Sequence, residues 1–274
     1  MFISIFEHVL RGYRWNLLMD SSGKKLTTYI TTNVMIVSYF FALFIPRFND
    51  IARCYLISKT NNIKISTSLG TVFSERIFDL ISLLILSAIF ILIEFDLFYG
   101  FIENYVLSNI EFNTITYLLI FGSLIVLFFI LRYFSKKSSF ISSNLNEFKL
   151  GVLTIKENYK NKGFLISTFL LWLIYFLMGY VIFFSFTETT DLGVNAGIAV
   201  LVAGSIGMIV PVNAGIGAYH FLVASILLSY NLDYESGLFF ATLLHTSQIV
   251  CLAILGIISS IILFFKIKSN NEYS

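Results

Sequence analysis

Long apolar runs set the pattern of this chain. Residues 27–46, 112–131, 163–187, 192–232 and 236–265 hold no Asp, Glu, Lys or Arg, and the last two interrupt their apolar character only with His220 and His245. A sixth run, 66–93, is apolar except for Glu75, Arg76 and Asp79. A spanning helix needs about 20 mostly apolar residues. None of the runs alternates with the period of two that marks a barrel strand. Backbone groups in lipid must be satisfied within the segment, so these runs predict helices. The fold class is all-α: a polytopic membrane protein built as a helical bundle.

Charge then orders the runs. Residues 1–25, 47–64 and 132–162 carry most of the Lys and Arg, and Lys266 and Lys268 close the chain. Residues 94–111, 187–191 and 231–235 carry acids without bases. Basic loops stay cytoplasmic. Both flanks of 27–46 are basic and both flanks of 192–232 are acidic, so neither stretch is expected to cross once. Residues 27–59 predict a hairpin entered from the cytoplasm, and residues 192–232 one entered from outside. Residues 66–93, 112–131, 163–186 and 236–265 remain as plain crossings, with both termini cytoplasmic in the plasma membrane.

The two prolines, Pro46 and Pro211, fall near the middle of the two hairpins. Proline removes a donor and breaks a helix, as a hairpin tip requires. Each hairpin is followed by a long helix with polar groups, in opposite orientations. This is the pattern of an inverted repeat, whose interface carries the site in many transporters. The organisation read from it is one transmembrane domain over 1–274. Residues 1–94 form the first hairpin-plus-helix and 95–191 two connecting spans. Residues 192–265 form the second repeat and 266–274 a cytoplasmic tail. The alternative keeps 27–46 as one crossing with an anomalous charge balance. Residues 138–162 mix apolar side chains with lysines, which reads as an amphipathic helix on the inner leaflet or, more plainly, a cytoplasmic linker.

Bulk composition adds exclusions. With 57% hydrophobic and 12% charged residues, the chain cannot cover a water-facing surface, and disorder is excluded. A net charge of +2 points to no nucleic-acid partner. Cys54 and Cys251 lie in apolar runs without metal spacing, so neither a disulfide framework nor a metal site is expected. Glu7, His8, Arg11 and Arg14 occupy the place of a signal-peptide apolar core. No nucleotide, metalloprotease or nucleophile-elbow motif is present, and the sequence calls for no cofactor.

Three constellations are candidates for function. Counting about 1.5 Å per residue from Ser66, Glu75 sits ~13 Å and Asp79 ~19 Å along the helix, bracketing the membrane midplane. The two share a face and need a compensating cation, which Arg76, Arg47 or Arg53 offers. Intramembrane charges of this kind mark function or a structural ion-pair clamp. The run Pro211–His220 is the second. Six of the 16 glycines lie between Gly193 and Gly217. They suit close helix packing. They also suit a tip at which Asn213, Gly215 and Gly217 free backbone N–H groups for an anion. His220 is either part of that tip or a packed hydrogen-bonder. The third pairs His245 with Gln248 at i,i+3, for a cavity or for helix–helix hydrogen bonds. Arg11, Arg14 and Trp15 read as interfacial anchors at the headgroups.

These residues also resemble a known family. Arg11-x-x-Arg14-Trp15, Asn33, Pro46-Arg47 with Arg53, Glu75-Arg76-x-x-Asp79 and Pro211-x-x-Ala214-Gly215-Ile216-Gly217 occur in the order found in the flippase-like membrane domain of lysylphosphatidylglycerol synthases. The chain resembles a stand-alone member of that family. It departs from the family pattern at Asn49-Asp50, where Gly-Glu is usual, and at Asn213 and His220, where an acid is usual. Members usually have another helix before the Arg-x-x-Arg-Trp segment. The resemblance implies a protein that handles lipids, moving an anionic headgroup such as that of a phospholipid or a polyprenyl-phosphate glycolipid between leaflets. No aminoacyl-transferase domain follows Phe265, so the expectation is a non-enzymatic translocase or a subunit of one. The alternatives are an enzyme or partner in polyprenyl-phosphate sugar or glycolipid synthesis, and a scaffold for a separate synthase or glycosyltransferase.

Overall fold

The computed structural model describes residues 2–101 and 139–272, and every described element is helical. The expected crossing at 112–131 lies outside the described residues. Three described helices are long and apolar enough to span a membrane: Ile65–Ile93, Lys162–Phe183 and Tyr234–Lys268. The protein is an all-α polytopic membrane protein.

Helix α1 (Phe2–Ser21) leads into α2 (Thr28–Ala42), whose N-cap Thr27 hydroxyl accepts the Ile30 N–H. Nine consecutive α2 residues, Ile30 to Ser38, are buried, so this helix lies inside the bundle. It approaches α1 closely at Gly12, where a Cβ would stand 2.2 Å from the Thr32 hydroxyl. The chain then turns through Pro46 and Arg47 into α3 (Asn49–Asn61), which packs back on α2. Arg47 has φ +59°, in the left-handed region. Left-handed Asn62 ends α3, as Asn often does at a helix C-terminus. Helix α4 (Ile65–Ile93) buries Thr67, Ser68, Gly70, Thr71, Val72, Ser74 and Glu75 in its first half. Its second half buries only Leu83 and Phe90 and otherwise shows apolar side chains outward, as a lipid-facing surface does.

After the short α5 (Phe95–Phe101), the next described helix is α6 (Ser139–Leu153). It does not stand alone as a surface element. It runs alongside α4 in the same direction: Glu147 meets Lys64 and Thr67, Gly151 meets Gly70, and the Ser74 hydroxyl donates to the Gly151 carbonyl at 3.0 Å. Two glycines face each other at the crossing, and a Cβ on Gly151 would lie 2.5 Å from the Thr67 carbonyl. The turn α7 (Ile155–Asn158) then leads to α8 (Lys162–Phe183), capped by the Asn161 side chain.

Helices α9 (Val194–Gly207) and α10 (Ala218–Leu228) form the second hairpin. Gly204 and Gly207 admit Tyr219 between them, because a Cβ on either would approach that residue to 2.7 Å. Helix α11 (Tyr234–Glu272) starts where the Ser236 N–H donates to Asp233, and it continues through the segment expected as a tail. It packs on both hairpins: Gly237 lies against Ala224 and Gly256 against Phe40. Two apolar cores result. One gathers around α9, α10 and the C-terminal ends of α4 and α8, with Phe183, Val200, Tyr219, Val223 and Phe240. The other gathers around α1 and α2, with Trp15, Met19, Val34, Ile57 and Phe164.

Candidate functional site

Three helices bring six charges together beside the second core. Arg14 of α1 donates to Asp79 at 2.6 Å and to Glu75 at 2.8 Å. Glu75 also accepts from Arg53 of α3 at 2.6 Å. Arg53 reaches Asp50 at 3.1 Å, Asp50 accepts from Arg76 at 2.7 Å, and Arg76 stands 4.0 Å from Asp79. The contacts close a ring of three arginines and three carboxylates in alternation. Bidentate and charge-assisted geometry makes such pairs strong and directional. Trp15 covers the ring: its indole N–H donates to the Thr71 hydroxyl, and the Arg53 guanidinium lies 5.2 Å from its ring centre.

The ring corrects two expectations. Arg14 and Trp15 are not interfacial anchors; they are 1% and 0% exposed, enclosed by α3 and α4. The main partner of Arg76 is Asp50 rather than Asp79, and its side chain remains 41% exposed. The cations buried with Glu75 are therefore Arg14 and Arg53.

A second ionic group lies one to two turns before Arg14 on α1. Glu7 pairs with Arg11 and stands 2.8 Å from His8. The Arg11 guanidinium binds the Tyr39 hydroxyl and lies 4.8 Å and 5.3 Å from the ring centres of Tyr39 and Tyr175. Arg11, expected at the interface, thus joins the bundle interior too.

A cavity of about 480 Å³ opens beside both groups. Glu7, Arg11, Arg47, Arg76 and Asp79 supply its charges, with Tyr39, Trp172 and Tyr175 next to them. Val200, Leu201, Gly204, Met208, Gly215, Tyr219, His245 and Gln248 of the later helices also line it. The turns of both hairpins therefore reach the same space. Arg47 is exposed and makes no ion pair among the described residues. The indole N–H of Trp172 and Nδ1 of the buried His245 have no hydrogen-bond partner among the described residues.

Of the residues singled out in the sequence, Arg11, Arg47, Arg76, Asp79, Gly215, His245 and Gln248 line this cavity. Arg53 and Glu75 stand behind the wall in the ring, while Asn213, Gly217 and His220 do not line it. The second tip also differs from the expected cradle of free amides. Ala214, Gly215 and Gly217 all have positive φ, and the Gly217 N–H donates to His220 Nδ1 at 3.3 Å. His220 therefore caps its own helix, with its ring 5.0 Å from that of His245. Sequence reasoning missed Glu7, His8, Tyr39, Asp50, Trp172 and Tyr175 as site residues. The i,i+4 spacing of Glu7 and Arg11 was the available signal, though it counted only against a signal peptide. No group of three or more His, Cys, Asp or Glu side chains suited to a metal occurs among the described residues.

Residues 1–256 match the family described as the lysylphosphatidylglycerol synthase TM region. A UPF0104 membrane protein of Methanocaldococcus jannaschii is 31% identical over 204 residues, covering 73% of this chain and 82% of that protein. No solved structure matches the chain.

Proposed function

The chain belongs to the lysylphosphatidylglycerol synthase transmembrane-region family, and we propose that within it this multi-pass protein is a translocase that moves a lipid with an anionic headgroup between leaflets. The observation that carries this reading is the cavity to which both hairpin turns contribute, Arg47 from one and Gly215 from the other. In the proposed topology the hairpins re-enter the membrane from opposite faces, as halves of an inverted repeat, with both termini cytoplasmic in the plasma membrane. A headgroup stripped of water in hydrocarbon loses several kcal/mol unless it finds polar partners. Arg47 and the indole N–H of Trp172 offer such partners in the cavity. The apolar side formed by Val200, Leu201 and Met208 suits the start of the acyl chains. The ring, whose Arg76 and Asp79 face the cavity, holds the three helices in register. A glycosyltransferase or synthase is the partner class the reading admits, acting before or after translocation.

The test is leaflet exchange. Purified protein in liposomes with a fluorescent phospholipid or a polyprenyl-phosphate sugar, quenched from one side, should show exchange faster than empty liposomes. Arg47→Gln should remove that excess without loss of folded protein. Exchange at the empty-liposome rate across several headgroups, with an ion gradient supplied, would overturn the reading.

A further inference from the structure

Among the described residues, the charges around the cavity settle into closed sets with one exception. Arg11 is matched by Glu7. Arg76 and Asp79 belong to the alternating ring, which is neutral as a whole. Among the described residues no lysine lines the cavity, and Arg47 is the one lining charge outside these sets. Its backbone sits at φ +59° directly after Pro46, a conformation that costs a non-glycine residue energy and that concentrates at functional positions. Trp172 Nε1 and Nδ1 of the 4%-exposed His245 supply polar atoms without hydrogen-bond partners among the described residues, on side chains that line the same space.

Resting on the lipid-headgroup reading, we infer that the cavity takes a headgroup of one net negative charge, a phosphodiester, with Arg47 as its counter-ion and Trp172 as a neutral donor. A second negative charge on the ligand would have to break the Glu7–Arg11 pair or the ring to find a cation. A zwitterionic headgroup would bring its own cation into a cavity that already holds one too many. Buried charge without a partner is the costly case in both. A phosphate monoester carries close to two charges at neutral pH and falls on the wrong side of this balance. The volume of about 480 Å³ suits a small polar headgroup with the first methylenes of its chains.

The experiment measures binding to the purified full-length chain in neutral detergent at pH 8, above the histidine range. The probes are phosphatidylglycerol (one charge, diester), phosphatidylcholine (zwitterion), phosphatidate (monoester) and glycerophosphoglycerol, which has no acyl chains. Phosphatidylglycerol should bind about tenfold or more tighter than the other two lipids. Arg47→Gln should remove that preference, and Arg47→Glu should place phosphatidylcholine first. If the Arg47 variants do not fold, Trp172→Phe is the second variant, expected to weaken phosphatidylglycerol several-fold. Phosphatidate binding as tightly as phosphatidylglycerol would overturn the inference, as would an unchanged ranking in the folded variants. If phosphatidylglycerol wins but no leaflet exchange occurs, the single-charge site stands and the translocase reading falls. If glycerophosphoglycerol binds as tightly as the lipid, the phosphodiester assignment stands and its source is a soluble one.

Discussion

Arg14 of the first helix and Glu75 of the fourth lie 2.8 Å apart with 1% exposure each, tying positions 61 residues apart in the chain. Glu75 meets a second guanidinium, Arg53, from its other oxygen. Arg14→Ala would leave Glu75 and Asp79 short of a cation in the interior, at a cost of ~3–5 kcal/mol. The expected outcome is loss of monodisperse protein in detergent, or a much lower melting temperature. Arg76→Ala should be milder, because its side chain is 41% exposed and Asp50 retains Arg53. Equal melting of Arg14→Ala and wild type would show that the ring does not hold the fold.

The crossing of α4 and α6 gives a steric prediction. A side chain on Gly151 would strike the Thr67 carbonyl and the Gly70 Cα, both backbone atoms that cannot turn aside. Gly151→Leu should force the helices apart at a cost of ~1–3 kcal/mol. The check is the rate of crosslinking between cysteines placed at Thr67 and Glu147, which should fall relative to the same pair with Gly151 intact.

The same crossing carries a pH dependence. Hydrogen bonds from Lys64 and the Thr67 hydroxyl hold the Glu147 carboxyl below its usual range. A depressed carboxylate contributes stability above its unfolded value, roughly 4.3, and loses it as pH falls through the lower folded value. Wild type and Glu147→Gln should therefore differ by a constant amount above about pH 5 and converge in more acid solution. A difference that grows on acidification would show that the pair opposes folding.

Topology is tested from the surface. Cys54 and Cys251 are both buried, so single cysteines can be read against them. With a membrane-impermeant maleimide on intact cells, Asp191→Cys should label and Asn61→Cys should label only after permeabilisation. External labelling at Asn61 would break the inverted-repeat proposal, which needs that loop inside.

Much of this organisation is legible in the chain, for identifiable reasons. Pro46 and Pro211 mark the two turns because proline cannot continue a helix. Glu75 and Asp79 stand out because ionisable groups are rare in apolar helices. What answers them is less visible. Arg14 sits beside Trp15 and Tyr13, a pairing common at headgroups, and nothing local shows that α3 and α4 enclose it. Asp50 was read only as a departure from the family pattern, although it bridges Arg53 and Arg76. Trp172 and Tyr175 lie in a uniformly apolar helix, where periodicity cannot tell the cavity side from the lipid side.

The ring of alternating charges has a consequence for how the protein is made. All six of its members lie between Arg14 and Asp79. Helix α4 brings two acids and one base to the ring, α3 one of each, and α1 the remaining base. None of these segments is at ease in lipid by itself, yet together they are neutral. Once the end of α4 has left the ribosome, every charge in the ring has its counterpart already synthesised. On the proposed topology, co-translational insertion therefore favours a nascent chain that waits for α4 before releasing α1 and the first hairpin into the membrane, so that the first third of the protein enters it as one unit.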